Sequence, residues 1–232
     1  MTSYVQPDIF GHDTVGNWPF GHLEPHAYSL IMIDCAWRFL TRTKAGEGKS
    51  PQAHYRTMTL DEIAALPVAD LAAPDCLLWM WCTAPMQDKQ IEIMKGWGFK
   101  YGTQMVWVKT TVTGKINFGT GYLARGSHEP IILGIRGAPS IKSKSVRSVI
   151  MAPLREHSRK PDEAYVAARK LIPYGRAADV YSRETRPTWE SFGDEAGKFD
   201  VASVASSVPL DQPQRGATWE TALQPLTPSS AI

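Results

Sequence analysis

Asp34 and Trp37, an acid and a large aromatic three residues apart, directly follow a short apolar run. A carboxylate accepts hydrogens from an amine and an indole offers a flat face, so the pair could hold a planar, amine-bearing ligand. The same residues also suit a bland reading, a strand-terminal acid capping a turn and a core tryptophan, and the spacing alone leaves both open. Cys35, between them, raises the idea of a thiol nucleophile; that needs support for the thiolate, none is evident nearby, and a plain buried thiol is the better reading. Gly48-Lys49-Ser50 looks like the end of a phosphate-binding loop, but Thr43 stands where that motif requires glycine. Gly119-Thr120-Gly121 with Ala124 fits a loose dinucleotide pattern, yet it follows a long loop instead of a strand, and Lys144 stands where an acid is expected. The six histidines are scattered and the three cysteines contain no C-x-x-C pair, so no metal site and no disulfide framework is expected.

Such side chains need a scaffold. Short apolar runs predict strands over 28–34, 76–82, 103–109, 129–137 and 177–182. Helices are predicted over 59–66, where Thr59 and Glu62 form a capping-box pattern, over 86–96, and from Ser158 to Pro173, with Pro161 in the first turn. Strands alternating with helices indicate an α/β fold with a mostly parallel sheet, and such sheets bind ligands at the carboxyl ends of their strands. Asp34 lies at such an end. Residues 1–27, rich in Pro and Gly, read as a loosely structured lead-in, and 28–199 as one domain. Residues 201–232 hold five Ser and four Pro without a sustained period and read as a disordered tail.

Hydrophobic residues make up 43% of the 232, enough for a packed core, and the net charge of +2 excludes an indiscriminate, strongly basic nucleic-acid binder. The longest apolar run, Cys76 to Cys82, is too short to span a bilayer, and the first residues lack a signal-peptide pattern, so a cytoplasmic protein with no membrane partner is expected. Eight tryptophans is a high number, suited to packing and also to base stacking.

The loop Asp34-Cys35-Ala36-Trp37 is followed, in order, by SPQAHYRTMTLDEIAALPV, LLWMWCT, FGTGYLARGSHEPIILGIRG, REHSRKPDEAYVAARKLIP and DVYSRETRPTWESFGDE. In this order the segments resemble the amino-methyltransferase family of the eukaryotic mRNA adenosine methyltransferase catalytic subunit, its bacterial and phage branch most closely, over roughly residues 17 to 199. The resemblance implies a Rossmann-like fold in permuted order, with the catalytic loop before the cofactor elements. It implies methylation of the exocyclic N6 amine of adenine in nucleic acid, DNA in preference to RNA, with S-adenosyl-L-methionine as cofactor. Asp34 and the carbonyl of residue 35 would accept the amine hydrogens while Trp37 stacks on the base. The family's loop reads Asp-Pro-Pro-Trp; Cys35 and Ala36 replace the two prolines here, which removes stiffness and motivates an alternative, a catalytically weak or inactive nucleic-acid-binding subunit.

By the same resemblance Lys160 would pair with the cofactor carboxylate, Arg183 would reach the ribose region, and Asp194 and Glu195, standing where the family often has Asn-Gln, would accept from ribose hydroxyls. Tyr55 and Glu129 would lie near the target base. Assembly as a homo- or hetero-oligomer is compatible with this reading. Residues 136–186 hold twelve Lys and Arg against five acids, a local surplus of seven that leaves the rest of the chain at −5. A phosphate-tracking surface would require such a segment.

Overall fold

The uncharged run Tyr28–Ile33 forms β1, near the middle of a seven-stranded sheet in the computed structural model, which describes residues 18–37, 57–119, 123–156 and 158–200. The first seventeen residues, most of the Gly-rich loop including Tyr55, and the tail from 201 lie outside the described residues. The other strands are β2 (Ala72–Trp81), β3 (Lys100–Thr110), β4 (His128–Arg136), β5 (Val149–Pro153), β6 (Arg176–Val180) and β7 (Glu190–Phe192). Their order is β5-β3-β4-β2-β1-β6-β7. β4 is antiparallel to both neighbours and every other pairing is parallel, so six strands point one way.

Inner strands of such a sheet are covered on both faces, which is why β1 and the second half of β2 read as unbroken apolar runs. The two-residue alternation sorts them into two cores. Ile31, Ile33, Leu78 and Met80 face α1 (Leu60–Ala64), α2 (Val68–Leu71) and α3 (Gln87–Gly96), packing with Ile63, Leu71, Ile93 and Met94. Leu30, Met32, Trp79 and Trp81 face α4 (Asp162–Leu171), whose Ala164, Tyr165, Ala168 and Leu171 recur at helical spacing. The result is three layers, helix on sheet on helix.

The capping box forms at α1: the Thr59 hydroxyl accepts from the Glu62 N–H at 3.2 Å, and the Glu62 carboxylate accepts from the Thr59 N–H at 2.7 Å. Two expectations are corrected, and two strands are added. The third helix does not begin at Ser158: Ser158 has φ +61°, and Pro161 is the extended N-cap, so the helix starts at Asp162. A proline pushes the residue before it out of the helical region, which places Lys160 on a loop. The strand over 177–182 stops at Val180, because Tyr181 takes φ +62°. β5 and β7, five and three residues long, carry too little pattern to announce themselves in sequence.

Candidate active site

The carboxyl ends of β1, β3, β5, β6 and β7 meet at one edge of the sheet. Because β4 runs the other way, its first residues, His128 and Glu129, arrive at that same edge. Asp34 leaves β1, with its N–H bonded to Val180 O at 3.2 Å. Lys160 approaches from the loop after β5. Its Nζ lies 3.0 Å from Asp34 Oδ2 and 2.5 Å from Glu129 Oε1, and 5.0 Å from the centre of the Trp81 ring. Lys109, near the end of β3, reaches the other oxygen of Glu129 at 2.8 Å. Two ammonium groups and two carboxylates thus alternate through a chain of contacts, and the side chains of Asp34, Glu129 and Lys160 are 25%, 16% and 9% exposed.

Burial raises the pKa of Asp34, opposed by Lys160 and reinforced by the negative charge of Glu129. For Glu129 burial acts in the same upward direction, but Lys160 and Lys109 outweigh it and hold the carboxyl at about 2. Glu129 has two cations and the shorter contact; Asp34 has one. Burial pulls the Lys160 pKa down, but the two carboxylates win and Lys160 stays a firm cation.

The four-residue loop is held at each position. The Cys35 carbonyl accepts from the Trp37 N–H at 2.8 Å, the Ala36 carbonyl from the Met58 N–H at 2.8 Å, and the Trp37 indole donates to Trp81 O at 3.2 Å. Hydrogen bonds to three surrounding segments therefore restrain a loop that lacks the two prolines. Trp37 is 3% exposed and belongs to the core, so its ring stands here as the anchor of the loop and not as an open face. Cys35 is also 3% exposed, and burial, with the adjacent Asp34 charge, pushes its thiol well above the usual range, which is no setting for a thiolate nucleophile.

Next to this group Asp34, Lys160, Asp179, Tyr181 and Arg183 line one cleft. Arg183 pairs with Glu195 at 2.6 Å, and Asp194 beside it is exposed; both acids follow Gly193 at the end of β7. Asp179, at 2% exposure, accepts from the Ser182 hydroxyl at 2.8 Å and lies 3.8 Å from Arg186. Burial, only partly opposed by these partners, lifts its pKa to about 7. The structure thus gathers Asp34, Lys160 and Glu129 in direct contact, and Arg183 with Glu195 beside them. Lys109 and Asp179 are additions. An acid inside the apolar run Ala177-Ala178-Asp179-Val180 is a signal that sequence could have offered; the pairing of Lys109 with Glu129, twenty residues further along the chain, is not.

The family model MT-A70 matches residues 28–195, a span that holds every one of these side chains. The chain belongs to the MT-A70 family. MT-A70 methyltransferases depend on S-adenosylmethionine and have a Rossmann-like fold. The chain is 29% identical over 187 residues to an Arabidopsis thaliana protein named N(6)-adenosine-methyltransferase MT-A70-like, covering 74% of this chain and 27% of that one. It is 29% identical over 173 residues to the human N(6)-adenosine-methyltransferase catalytic subunit METTL3, covering 72% and 28%. To the human N(6)-adenine-specific methyltransferase METTL4 it is 25% identical over 186 residues, covering 74% and 38%. The chain therefore spans well under half of the length of these MT-A70 relatives.

The donor set of the cleft fits the cofactor of the MT-A70 family. Of the residues that line it, Lys160 and Arg183 are cations suited to a carboxylate and Asp34 and Asp179 are acids suited to positively charged groups, while Glu195 pairs with Arg183.

Proposed function

We propose that this chain methylates the N6 amine of adenine in nucleic acid, DNA in preference to RNA, with S-adenosyl-L-methionine as methyl donor. The observation that carries the reading is Asp34 at the carboxyl end of β1, in contact with Lys160 and beside the cleft that Arg183 lines. The bound cofactor supplies an electrophilic methyl group on a sulfonium. Lys160 and Arg183 hold its acidic end and its ribose region, with Asp194 and Glu195 accepting from the ribose. Asp34 and the second lone pair of the Cys35 carbonyl accept the two amine hydrogens and so orient a nitrogen whose own lone pair is otherwise delocalised into the ring. Glu129, held ionised by two lysines, fixes Lys160 and borders the place of the base. Tyr55 is proposed to meet the base from the loop outside the described residues. Catalysis of this kind is positioning and electrostatic complementarity, with no covalent intermediate.

A paired adenine hides its amine, so the target base must be flipped out or already unpaired. The loops around 40–55 and 110–128 are proposed to hold the strand. The preference for DNA rests on the likeness of the motifs to the bacterial and phage branch, and a cytoplasmic location is proposed from the cysteine usage and the short apolar runs of the sequence. A homo- or hetero-oligomeric assembly is proposed as well. The test incubates purified protein with labelled cofactor and separate DNA and RNA pools and looks for N6-methyladenine by mass spectrometry. Label in DNA supports the full reading, label in RNA alone overturns the preference, and no affinity for the cofactor by calorimetry overturns the enzyme.

A further inference from the structure

Two loops supply the cations of the cleft. One precedes α4 and carries Arg155, Arg159 and Lys160; the other runs from Tyr181 to Trp189 and carries Arg183. The Glu184 carboxylate of the second loop reaches the first directly, and Asp162 at the start of α4 bridges Arg155 and Arg186. Glu184 accepts from Arg159 Nε at 2.9 Å and from Arg159 Nη2, pairs with Arg186 Nη2 at 2.7 Å, and lies 3.6 Å from Arg155 Nη1. The Glu184 side chain is 16% exposed, and those of Arg155, Arg159 and Arg186 are 24%, 15% and 11% exposed. This is a sheltered cluster and not a set of solvated surface pairs.

The partners are not equivalent. Arg155 and Arg186 each have a second carboxylate, Asp162, at 3.0 Å. Arg159 has Glu156 at 3.0 Å, which is 56% exposed, so Glu184 is its sheltered partner. Arg159 adjoins Lys160 in the chain, and Arg155 donates to the Lys160 carbonyl at 3.4 Å. The residue before Arg159, Ser158, holds a left-handed φ of +61° that a non-glycine residue adopts only when its surroundings impose it.

We propose that Glu184 is a positioning residue for cofactor capture, gathering Arg155, Arg159 and Arg186 so that the loop bearing Lys160 is fixed against the loop bearing Arg183. The inference rests on the reading of the cleft as the cofactor site, but the fixing of the loop can be measured without any cofactor. Removing the carboxylate leaves Arg159 with the exposed Glu156 and the Phe199 ring 5.2 Å away, so the strained turn at Ser158 loses one of its restraints and Lys160 is held less firmly in place.

The experiment compares the full chain with Glu184→Ala, with Glu184→Gln, which keeps the shape and drops the charge, and with Glu184→Asp, which keeps the charge. Amide hydrogen exchange is followed across the protein, S-adenosylmethionine affinity is measured by calorimetry, and kcat and KM are measured with an adenine-containing oligonucleotide. For Ala and Gln, exchange accelerates in the segment 158–160 while the strands keep their protection. Cofactor affinity falls by about tenfold or more and KM for the cofactor rises with it, while kcat at saturating cofactor changes by less than about threefold. Asp recovers part of the affinity. Unchanged exchange at 158–160 in Glu184→Gln overturns the proposal, as does acceleration spread evenly through the sheet, which marks a general folding role. Failure of the unaltered chain to bind cofactor overturns the reading of the cleft, and the exchange result alone then decides whether Glu184 fixes the loop.

Discussion

Asp34 and Glu129 share one lysine and stand under opposite electrostatic conditions. In the proposed role Asp34 must be ionised to accept amine hydrogens, and its pKa is raised, so turnover should be lost as pH falls through a value above that of an ordinary aspartate. Asp34→Ala should lower methyl transfer by at least about a hundredfold, measured by label incorporation at saturating cofactor; transfer at the unaltered rate would exclude this role for Asp34. Glu129→Gln removes the neighbouring negative charge and leaves Lys160 to Asp34, so the acid limb of the kcat profile should move to lower pH. The same change leaves Lys109 without its carboxylate partner and should cost about 2–4 kcal/mol of stability in urea unfolding at pH 7. The sign differs for Asp179. A carboxyl lifted from 3.8 to about 7 in the folded chain stabilises it fully below about pH 4, and that contribution is lost as pH rises through about 7. Asp179→Asn, which retains an acceptor for Ser182, should therefore gain on the order of 2–4 kcal/mol relative to the unaltered chain at pH 8 and much less at pH 5, read from urea midpoints.

At the level of elements, loop conformation carries as much of the site as side-chain identity. Gly193 has φ +152°, and a Cβ there would lie 2.9 Å from Tyr181 Cα and 3.2 Å from Ser182 O, both backbone atoms with little room to yield. Gly193→Ala should push β7 from β6 at the point where Asp194 and Glu195 emerge. Lowered thermal stability together with weaker cofactor binding is expected; an alanine variant with unchanged melting temperature and affinity would count against this packing. Strand and helix identities were largely legible, because most of β1 and the second half of β2 are apolar and α4 has a clear helical stripe. The direction of β4 was not legible. Its residues Glu129–Arg136 read as a strand either way, and only pairing with β2 and β3 turns Glu129 toward Asp34. The start of α4 was misread because proline at the first turn and proline as N-cap look alike in sequence, while the positive φ of Ser158 depends on its contacts.

Across the whole molecule the basic segment 136–186 divides in two. Arg136, Arg155, Arg159, Lys160, Arg169, Arg176, Arg183 and Arg186 engage carbonyls or carboxylates within the fold. Lys142, Lys144, Arg147 and Lys170 are exposed, and they cluster where Lys142 N–H bonds Leu171 O, at the end of α4 and ahead of β5. That is the end of the strands opposite Asp34. Replacing Lys142, Lys144 and Arg147 by alanine should leave kcat/KM on a short oligonucleotide within about twofold; a tenfold loss would place the nucleic acid across that end. The sequence by itself determined the α/β class, the resemblance to an adenine amino-methyltransferase and the acid at the end of β1 that the proposed chemistry uses, because burial patterns and local motifs are written in neighbouring residues. The tertiary structure decided which charges meet beside the cleft and which brace the fold elsewhere. Lys109, Glu129, Lys160 and Asp34 come from four separate segments, and one reversed strand brings them within hydrogen-bonding distance.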